Sequence, residues 1–330
     1  MDLSVVIVSW NVRQLLSGCL ESVFASVGDS ALQHEVLVVD NASSDGSASM
    51  VREHFPQVRV WENAENRGFA AGCNQALSQC SGRHVLLLNP DTLVRRDAPG
   101  VLVGFMDTMQ RVGMAGPRLV YPDGSFQHSA FEFPTLAQAF LDFFPIHARL
   151  TDSKLNGRYP RADYAAGHAF RVGHPLGACI IVRRKALEQV GCLDEGFFMY
   201  CEEVDWALRF HRAVWRVYCV PMAEVAHYSG QSTQQFRDEM FVQLWRSRLR
   251  LFAKHYGASY NRAVRIIVRG GVRVEAMRAR ARARGGQLSQ QGLAAKLAAY
   301  ERVLQMTRGR WEDSSGPEGS GAEDGNGRSG

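Results

Sequence analysis

The sequence predicts an α/β fold: a mixed, mainly parallel sheet flanked by helices, with a helical C-terminal extension. Three observations carry this expectation. Short apolar runs, β-branched or leucine-rich, alternate with amphipathic stretches over the first part of the chain, as in parallel βαβ units. Polar residues stand at the end of each run. Arginine-rich sequence with helical spacing fills the region beyond residue 257. The composition agrees. Of 330 residues, 46% are apolar and 22% charged, which gives a sizeable core and excludes a disordered, collagenous or coiled-coil chain as a whole.

Residues 3–9 read as a buried strand, because an unbroken β-branched run is expected where both sheet faces are covered. Residues 12–27 place Leu15, Leu16, Cys19, Leu20, Val23, Phe24 and Val27 on a helical stripe. A second strand spans 35–39 and ends at Asp40. The polar loop Asn41-Ala-Ser-Ser-Asp-Gly-Ser47 then leads into a helix reaching about Phe55, with Ser or Asp available as N-cap. A short strand at 58–61, a loop at 63–68, a helix to about Gln79 and a strand at 84–88 follow, ending at Asn89-Pro-Asp91. In open α/β sheets ligands bind beyond the carboxyl ends of the strands, and Asn11, Asp40, Asn66 and Asp91 all fall there.

After residue 110 the pattern changes. Pro117–Phe126 reads as a β-hairpin around Pro-Asp-Gly. Residues 128–172 have weak periodicity and read as an excursion with a mobile loop. Gly177–Arg183 is a buried strand, Ala186–Val190 a short helix closed by Gly191, Glu203–His211 a helix and Arg216–Pro221 a strand. Residues 234–256 form a long helix with the stripe Phe241, Leu244, Trp245, Leu249 and Phe252. In the extension, the pair Gly270-Gly271 is expected to interrupt a helix. The tail 313–330 lacks apolar anchors and is expected to be disordered.

The net charge of +5 is unevenly spread. Residues 1–236 hold 20 basic and 24 acidic residues, 237–310 hold 17 and 4, and 311–330 hold 1 and 5. The basic segment suggests phosphate-rich or anionic neighbours, with a solvated helix as the plain alternative. No nucleic-acid recognition motif accompanies it. The seven cysteines include no CxxC pair, so thiols in a reducing compartment are expected. The N-terminus shows no basic segment ahead of its short apolar run, and no window approaches the roughly 18 apolar residues of a membrane span. A cytoplasmic protein is expected, able to lie on the inner face of the cytoplasmic membrane.

Four constellations could carry chemistry. Asp40, after an apolar strand, can accept a hydrogen bond from a base edge or ribose, or simply cap its own loop. Asp91, presented by Leu86-Leu-Leu-Asn-Pro-Asp91, suits a hard divalent cation bridging phosphate oxygens, although Asn-Pro-Asp is also a common turn. Glu202, Glu203 and Asp205 crowd three carboxylates into four residues, raising the proton affinity of at least one as a general base requires; an acidic helix N-terminus would look the same. His227, after a strand, can ligate a metal or serve structure alone.

Their order resembles the inverting family 2 glycosyltransferases of GT-A (Rossmann-like) fold, particularly the rhamnosyltransferase branch. The resemblance rests on Val5-Val-Ile-Val-Ser-Trp-Asn11, Val38-Val-Asp-Asn-Ala-Ser-Ser-Asp-Gly46 and Glu65-Asn-Arg-Gly-Phe-Ala-Ala-Gly-Cys-Asn74. It continues through Leu88-Asn-Pro-Asp-Thr92, Tyr121-Pro-Asp-Gly-Ser125, Pro175-Leu-Gly-Ala-Cys-Ile-Ile181, Asp194-Glu-Gly-Phe-Phe-Met-Tyr200, the His227 segment and residues 247–257. It covers residues 3–257. It implies a glycosyltransferase domain over 1–257, with a nucleotide-sugar half (1–110) and an acceptor half (111–257); the basic helical extension over 258–312, read from its composition, departs from that plain domain.

The resemblance also implies roles. Ser9, Asn11, Asp40, Asn66, Arg67, Gly68, Asn89 and Asp91 would bind the donor, and Asp91 and His227 would hold magnesium or manganese. The family's base is the aspartate of a Glu-Asp pair; this chain has Glu203 there, with Glu202 and Asp205 as neighbouring candidates. The implied reaction moves rhamnose or another hexose from a nucleotide-sugar to a glycan or lipid-linked acceptor in cell-surface polysaccharide synthesis. The basic extension adds an anionic membrane surface as a further partner. A dehydrogenase would need GxGxxG where Ser9-Trp-Asn-Val-Arg13 stands, and a pyrophosphorylase a Gly-rich basic loop there. A non-catalytic sugar-nucleotide-binding or scaffold protein of the same fold is the competing class.

Overall fold

The computed structural model describes residues 1–28, 32–229 and 237–309. β1 (Leu3–Ser9), α1 (Arg13–Gly28), β2 (His34–Asp40), α2 (Ser47–His54), β3 (Arg59–Glu62), α3 (Phe69–Leu77) and β4 (His84–Leu88) follow in the expected alternation. β1 pairs in parallel with β2 and β4, and β2 with β3. Every residue of β1 and β4 is buried, because one core packs Leu16, Leu20 and Val23 of α1 on one sheet face and another packs Ala70, Cys73 and Ala76 of α3 on the other.

Between β4 and the predicted hairpin two elements were not foreseen. β5 (Thr92–Val94) has only three residues, and α4 (Ala98–Thr108) opens on Ala-Pro-Gly and is apolar on most sides, so neither shows a clear period. β6 (Val112–Val120) begins before the predicted hairpin and turns through residues 121–125 into β7 (Phe126–Gln127). The excursion is built of short elements: β8 (Ala130–Phe131), α5 (Leu136–Phe143), α6 (Ala148–Thr151), a 3₁₀ turn (Lys154–Asn156), α7 (Arg161–Ala165) and β9 (Phe170–Arg171). α5 starts on a capping box in which Thr135 and Gln138 satisfy each other's backbone N–H groups. β10 (His174–Pro175), β11 (Cys179–Arg183), α8 (Arg184–Val190), α9 (Glu202–Arg212) and β12 (Arg216–His227) complete the sheet region.

The main sheet runs β3-β2-β1-β4-β11-β6-β12-β5. β11 is antiparallel to β4 and β6, β12 parallel to β6 and antiparallel to β5. The expected end of β12 at Pro221 is corrected: a register shift between Val220 and Glu224 absorbs the proline, and the strand continues to His227. This extension delivers His227 opposite Thr92, beside Asp91.

α10 (Arg237–His255), α11 (Ala258–Arg284) and α12 (Gln290–Arg308) form a helical layer. The expected break at Gly270-Gly271 is also corrected, since α11 passes through both residues. A Cβ on Gly271 would lie 2.1 Å from Phe143 Cγ. The residue is small because α5 presses its aromatic ring onto α11 there. Among the described residues no helix is long and apolar enough to cross a membrane. The tail 313–330, the end of the predicted extension, the start of the helix at 234 and part of the His227 segment lie outside the described residues.

Candidate active site at the strand ends

Ser9 and Asp40 are register partners at the carboxyl ends of β1 and β2. Both are buried, and Ser9 Oγ and Asp40 Oδ2 have no hydrogen-bond partner in the protein. Asp40 Oδ1 accepts from the Ser43 N–H at 2.7 Å. One oxygen of Asp40 thus folds its own loop, and the other is left over. Buried polar atoms without partners are uncommon in proteins, and two of them side by side suit a hydroxylated or amide-bearing ligand.

Asn11 adopts a left-handed backbone (φ 53°). Its Oδ1 accepts from the Ser44 N–H at 2.7 Å, and its own N–H donates to Ser43 Oγ at 2.9 Å. The loops after β1 and β2 thus lock together. Asn66 Oδ1 accepts from the Gly68 N–H at 3.0 Å. Gly68 has φ 86°, and a Cβ there would come within 2.5 Å of the Phe198 carbonyl oxygen. That oxygen accepts from the Phe69 N–H at 2.8 Å, tying the Asn66–Gly68 loop to the segment that precedes α9. The Arg67 guanidinium stands 3.8 Å from Glu195 and is half exposed. The Asn89 N–H donates to Ala178 O at 2.9 Å and its carbonyl accepts from Thr92 Oγ1 at 2.7 Å, which holds the turn that carries Asp91.

Asp91 and His227, 136 residues apart in sequence, meet with Oδ1 and Nε2 at 3.4 Å. Both are buried. His227 Nδ1 lies 3.3 Å from Gln127 Oε1; with a proton on Nδ1 donated there, Nε2 can serve as a ligand on the side of the carboxylate. Two lone-pair donors held face to face suit a cation between them, and an outer hydrogen bond that fixes the imidazole is the usual support of a ligand histidine. Neighbouring ligands on an octahedral cation with bonds of about 2.1 Å stand about 3 Å apart, so the pair fits. Among the described residues no group of three or more His, Cys, Asp or Glu is assembled for a metal; further ligands would have to come from phosphate oxygens and water, as hard cations accept. Gln127 gave no signal in the sequence, since its contact exists only once β7 folds back beside the end of β12.

The carboxylate trio separates. Tyr200 (φ 69°) and Cys201 (φ 64°) are left-handed without being glycine, a cost of roughly 1–3 kcal/mol each that a site can impose. This turn aims the start of α9. Glu203 lines a cavity of about 310 Å³ formed with Phe131, Tyr200, Arg248 and Phe252. Burial raises the Glu203 carboxyl to about 7. Burial and then the charge of Glu203 raise Glu202 well above the ordinary carboxylate range. One oxygen of each has no partner.

Asp205 differs. It accepts from Arg209 Nε at 2.9 Å and His255 Nε2 at 2.6 Å, and Lys254 Nζ lies 2.7 Å away. Burial would raise it, but hydrogen bonds from His255 and Lys254 and the charge of Arg209 hold it at about 2. It is fully buried and committed to joining α9 to the end of α10. His174, also in the cavity wall, is lowered to about 4 by burial and stacks on Phe131.

Several known proteins to which the chain is similar are glycosyltransferases. The model of the family "Glycosyl transferase family 2" matches residues 4–191, more than half of the chain. The chain is 31% identical over 220 residues to the N-acetylglucosaminyl-diphospho-decaprenol L-rhamnosyltransferase of Mycobacterium tuberculosis, an alignment spanning 60% of this chain and 67% of that one. It is 24% identical over 173 residues to the rhamnosyltransferase WbbL of Escherichia coli K12, spanning 52% and 62%. The mannosyltransferase of Pyrobaculum calidifontis, solved with GDP-mannose and Mn²⁺, superposes with a TM-score of 0.55 at 19% identity, over 93% of this chain and 84% of that one. The fold is thus the GT-A glycosyltransferase fold, and the chain belongs to glycosyl transferase family 2.

Proposed function

We propose that the protein transfers a sugar, rhamnose or another hexose, from a nucleotide-sugar to a hydroxyl of a glycan or lipid-linked acceptor in cell-surface polysaccharide synthesis, with inversion at the anomeric carbon. The observation that carries the reading is the meeting of Asp91 and His227 at 3.4 Å beside the strand ends.

In this reading Ser9 and Asp40 take the nucleoside, with Asn11 holding their loops, and Asn66, Arg67, Gly68 and Asn89 shape the donor pocket. Magnesium or manganese on Asp91 and His227 would offset the charge of the departing diphosphate. Glu203 receives the acceptor hydroxyl proton as that oxygen forms its bond to the anomeric carbon and the bond to the diphosphate oxygen breaks. A carboxyl held near neutrality suits this work, since the deprotonated form must be present yet able to hold a proton. Glu202, more strongly raised, stays neutral beside it and prevents a second charge. The seven free thiols support a reducing compartment.

The test is release of nucleoside diphosphate from a panel of nucleotide-sugars, with Mg²⁺ or Mn²⁺, by the full-length protein and by Asp91→Ala. Turnover of one donor by the wild type, lost or reduced at least a hundredfold in the variant, is expected. Equal rates remove the metal role. Binding of a donor without turnover under any condition favours the scaffold reading.

A further inference from the structure

α11 has two faces of different character. Val264, Val268, Val272 and Ala279 are buried, and Gly271 meets Phe143. The apolar stripe of this helix is therefore used up inside the protein. The opposite side carries Arg262, Ile266, Arg273, Met277, Arg280 and Arg284, all exposed. At 100° per residue they fall within an arc of about 60°, and from first to last they span about 33 Å. Among the described residues no carboxylate pairs with any of these four arginines. The nearby acids are engaged elsewhere: Glu275 with Arg278, Glu239 with Arg302, Glu301 with Arg308.

Beside this stripe, α11 and α12 enclose a groove of about 570 Å³ lined by Leu297, Tyr300 and Leu304 within and by Arg273, Met277, Arg280 and Glu301 at its exposed edge, the last paired with Arg308. Hydrocarbon inside and guanidinium outside is the order of polarity along a phospholipid. Ile266 and Met277, 62% and 58% exposed, are large apolar residues with nothing over them, set between the arginines. A phosphate backbone alone would not favour them, and the stripe carries no aromatic ring or amide to read bases.

We infer that this arginine face of α11 adsorbs the protein to an anionic lipid surface, flat along the helix axis. The apolar side chains enter only the headgroup region, and the arginines meet lipid phosphates. The sequence suggested an amphipathic helix lying on a membrane. The structure changes which face does so: the charged stripe faces outward. The inference rests on the proposed transfer only for its purpose, meeting a lipid-linked acceptor; the adsorption itself stands on the stripe.

Co-sedimentation of the full chain with phosphatidylglycerol-containing vesicles and with pure phosphatidylcholine vesicles tests it. Binding to the first alone, weakened by salt, is expected. The variant R262Q/R273Q/R280Q/R284Q should bind up to roughly a thousandfold more weakly, with unchanged far-UV circular dichroism. I266Q/M277Q, which keeps every charge, should lose a smaller share and retain the salt dependence. Equal binding to both vesicle types, wild-type binding by the four-arginine variant, or tighter binding to duplex DNA than to vesicles would overturn it. Should the four-arginine variant misfold, full binding by I266Q/M277Q together with insensitivity of the wild type to salt would do so. Release of nucleoside diphosphate in the absence of vesicles should be the same in both variants, so a failed adsorption leaves the transfer reading intact and the reverse also holds.

Discussion

The proposed donor and acceptor sides of the site are held by different kinds of contact. On the donor side, most side chains are fixed within or between adjoining strand-end loops: Asp40 to Ser43, Asn66 to Gly68, Asn11 to Ser44; Asp91 with His227 and Asn89 with Ala178 draw on later strands of the same sheet region. Consecutive parallel strands and their own loops do the positioning. On the acceptor side, Glu203 looks into a cavity walled by β8, α5, α9 and α10, and the ties reach across the chain, as from Asp205 to His255 or from Tyr256 Oη to Pro134 O. Donor geometry is thus a property of the sheet. Acceptor geometry is a property of how the helical layer docks, so damage to that layer should reach one side and spare the other.

The strongest way to break this contrast is at Glu203. Glu203→Gln should lower the transfer rate roughly 10²–10⁴-fold, the usual value of a general base, while nucleoside diphosphate affinity by calorimetry stays at the wild-type value. An equal loss in both would mean that the two sides are not separable. The pH profile sharpens the point. With the carboxyl raised to about 7, transfer should climb as pH rises through that region, because only the deprotonated form accepts the proton. Stability should move the opposite way. A carboxyl whose folded value lies above its ordinary 4.5 favours the native state most at low pH, and this contribution is lost as pH rises from about 4.5 through about 7. Thermal melts of the wild type against Glu203→Gln should diverge across that window, with the wild type losing stability at its upper end.

The same contrast explains what could be read from the sequence. The strands of the first half, the loops at their ends and the pair Asp40 and Asp91 were legible because local pattern decides them: an apolar run, a polar stop, a turn. The prolongation of β12 was not, since Pro221 is a reason to stop a strand and only pairing with β6 and β5 overrides it. Nor could the sequence separate Glu203 from Asp205. They lie two positions apart on one helix, and what divides them is whether a cavity or the cations of α10 stand opposite. α4 was missed because its first turn spells a loop. His255 and Lys254 stood inside a recognisable stretch, but their task of holding Asp205 depends on the packing of α10 against α9.

Asp205 supplies the next test. Asp205→Asn leaves the shape and removes the charge that faces Arg209, Lys254 and His255. Breaking a buried ionic cluster from one side costs about 3 kcal/mol, read as a lowered urea midpoint at neutral pH. The difference from wild type should shrink in acid. A carboxyl held at about 2, below its ordinary 3.8, contributes stability that is present above the ordinary value and lost as pH falls through the folded one. Donor affinity should survive this substitution and transfer should fall with it. If donor affinity falls first, the helical layer supports the sheet side as well, and the proposed division is wrong.

The smallest effects come from two adjacent glycines of α11, and their signs should be opposite. Neither has a left-handed backbone, so conformation does not distinguish them; only surroundings do. A Cβ at Gly270 meets nothing within 4 Å, whereas one at Gly271 meets the ring of Phe143 at 2.1 Å. Gly270→Ala should therefore stabilise the protein by up to about 1 kcal/mol, the ordinary gain of alanine over glycine within a helix. Gly271→Ala carries the same propensity gain but forces α5 away from α11, an overpacking cost of roughly 1–3 kcal/mol that outweighs it. Because α5 also lines the proposed acceptor cavity through Gln138 and Ala139, Gly271→Ala should raise KM for the acceptor and leave KM for the donor unchanged, whereas Gly270→Ala should move neither. Two methyl groups one residue apart, measured by melting temperature and by the two KM values, thus test whether the docking of the helical layer sets the acceptor side alone.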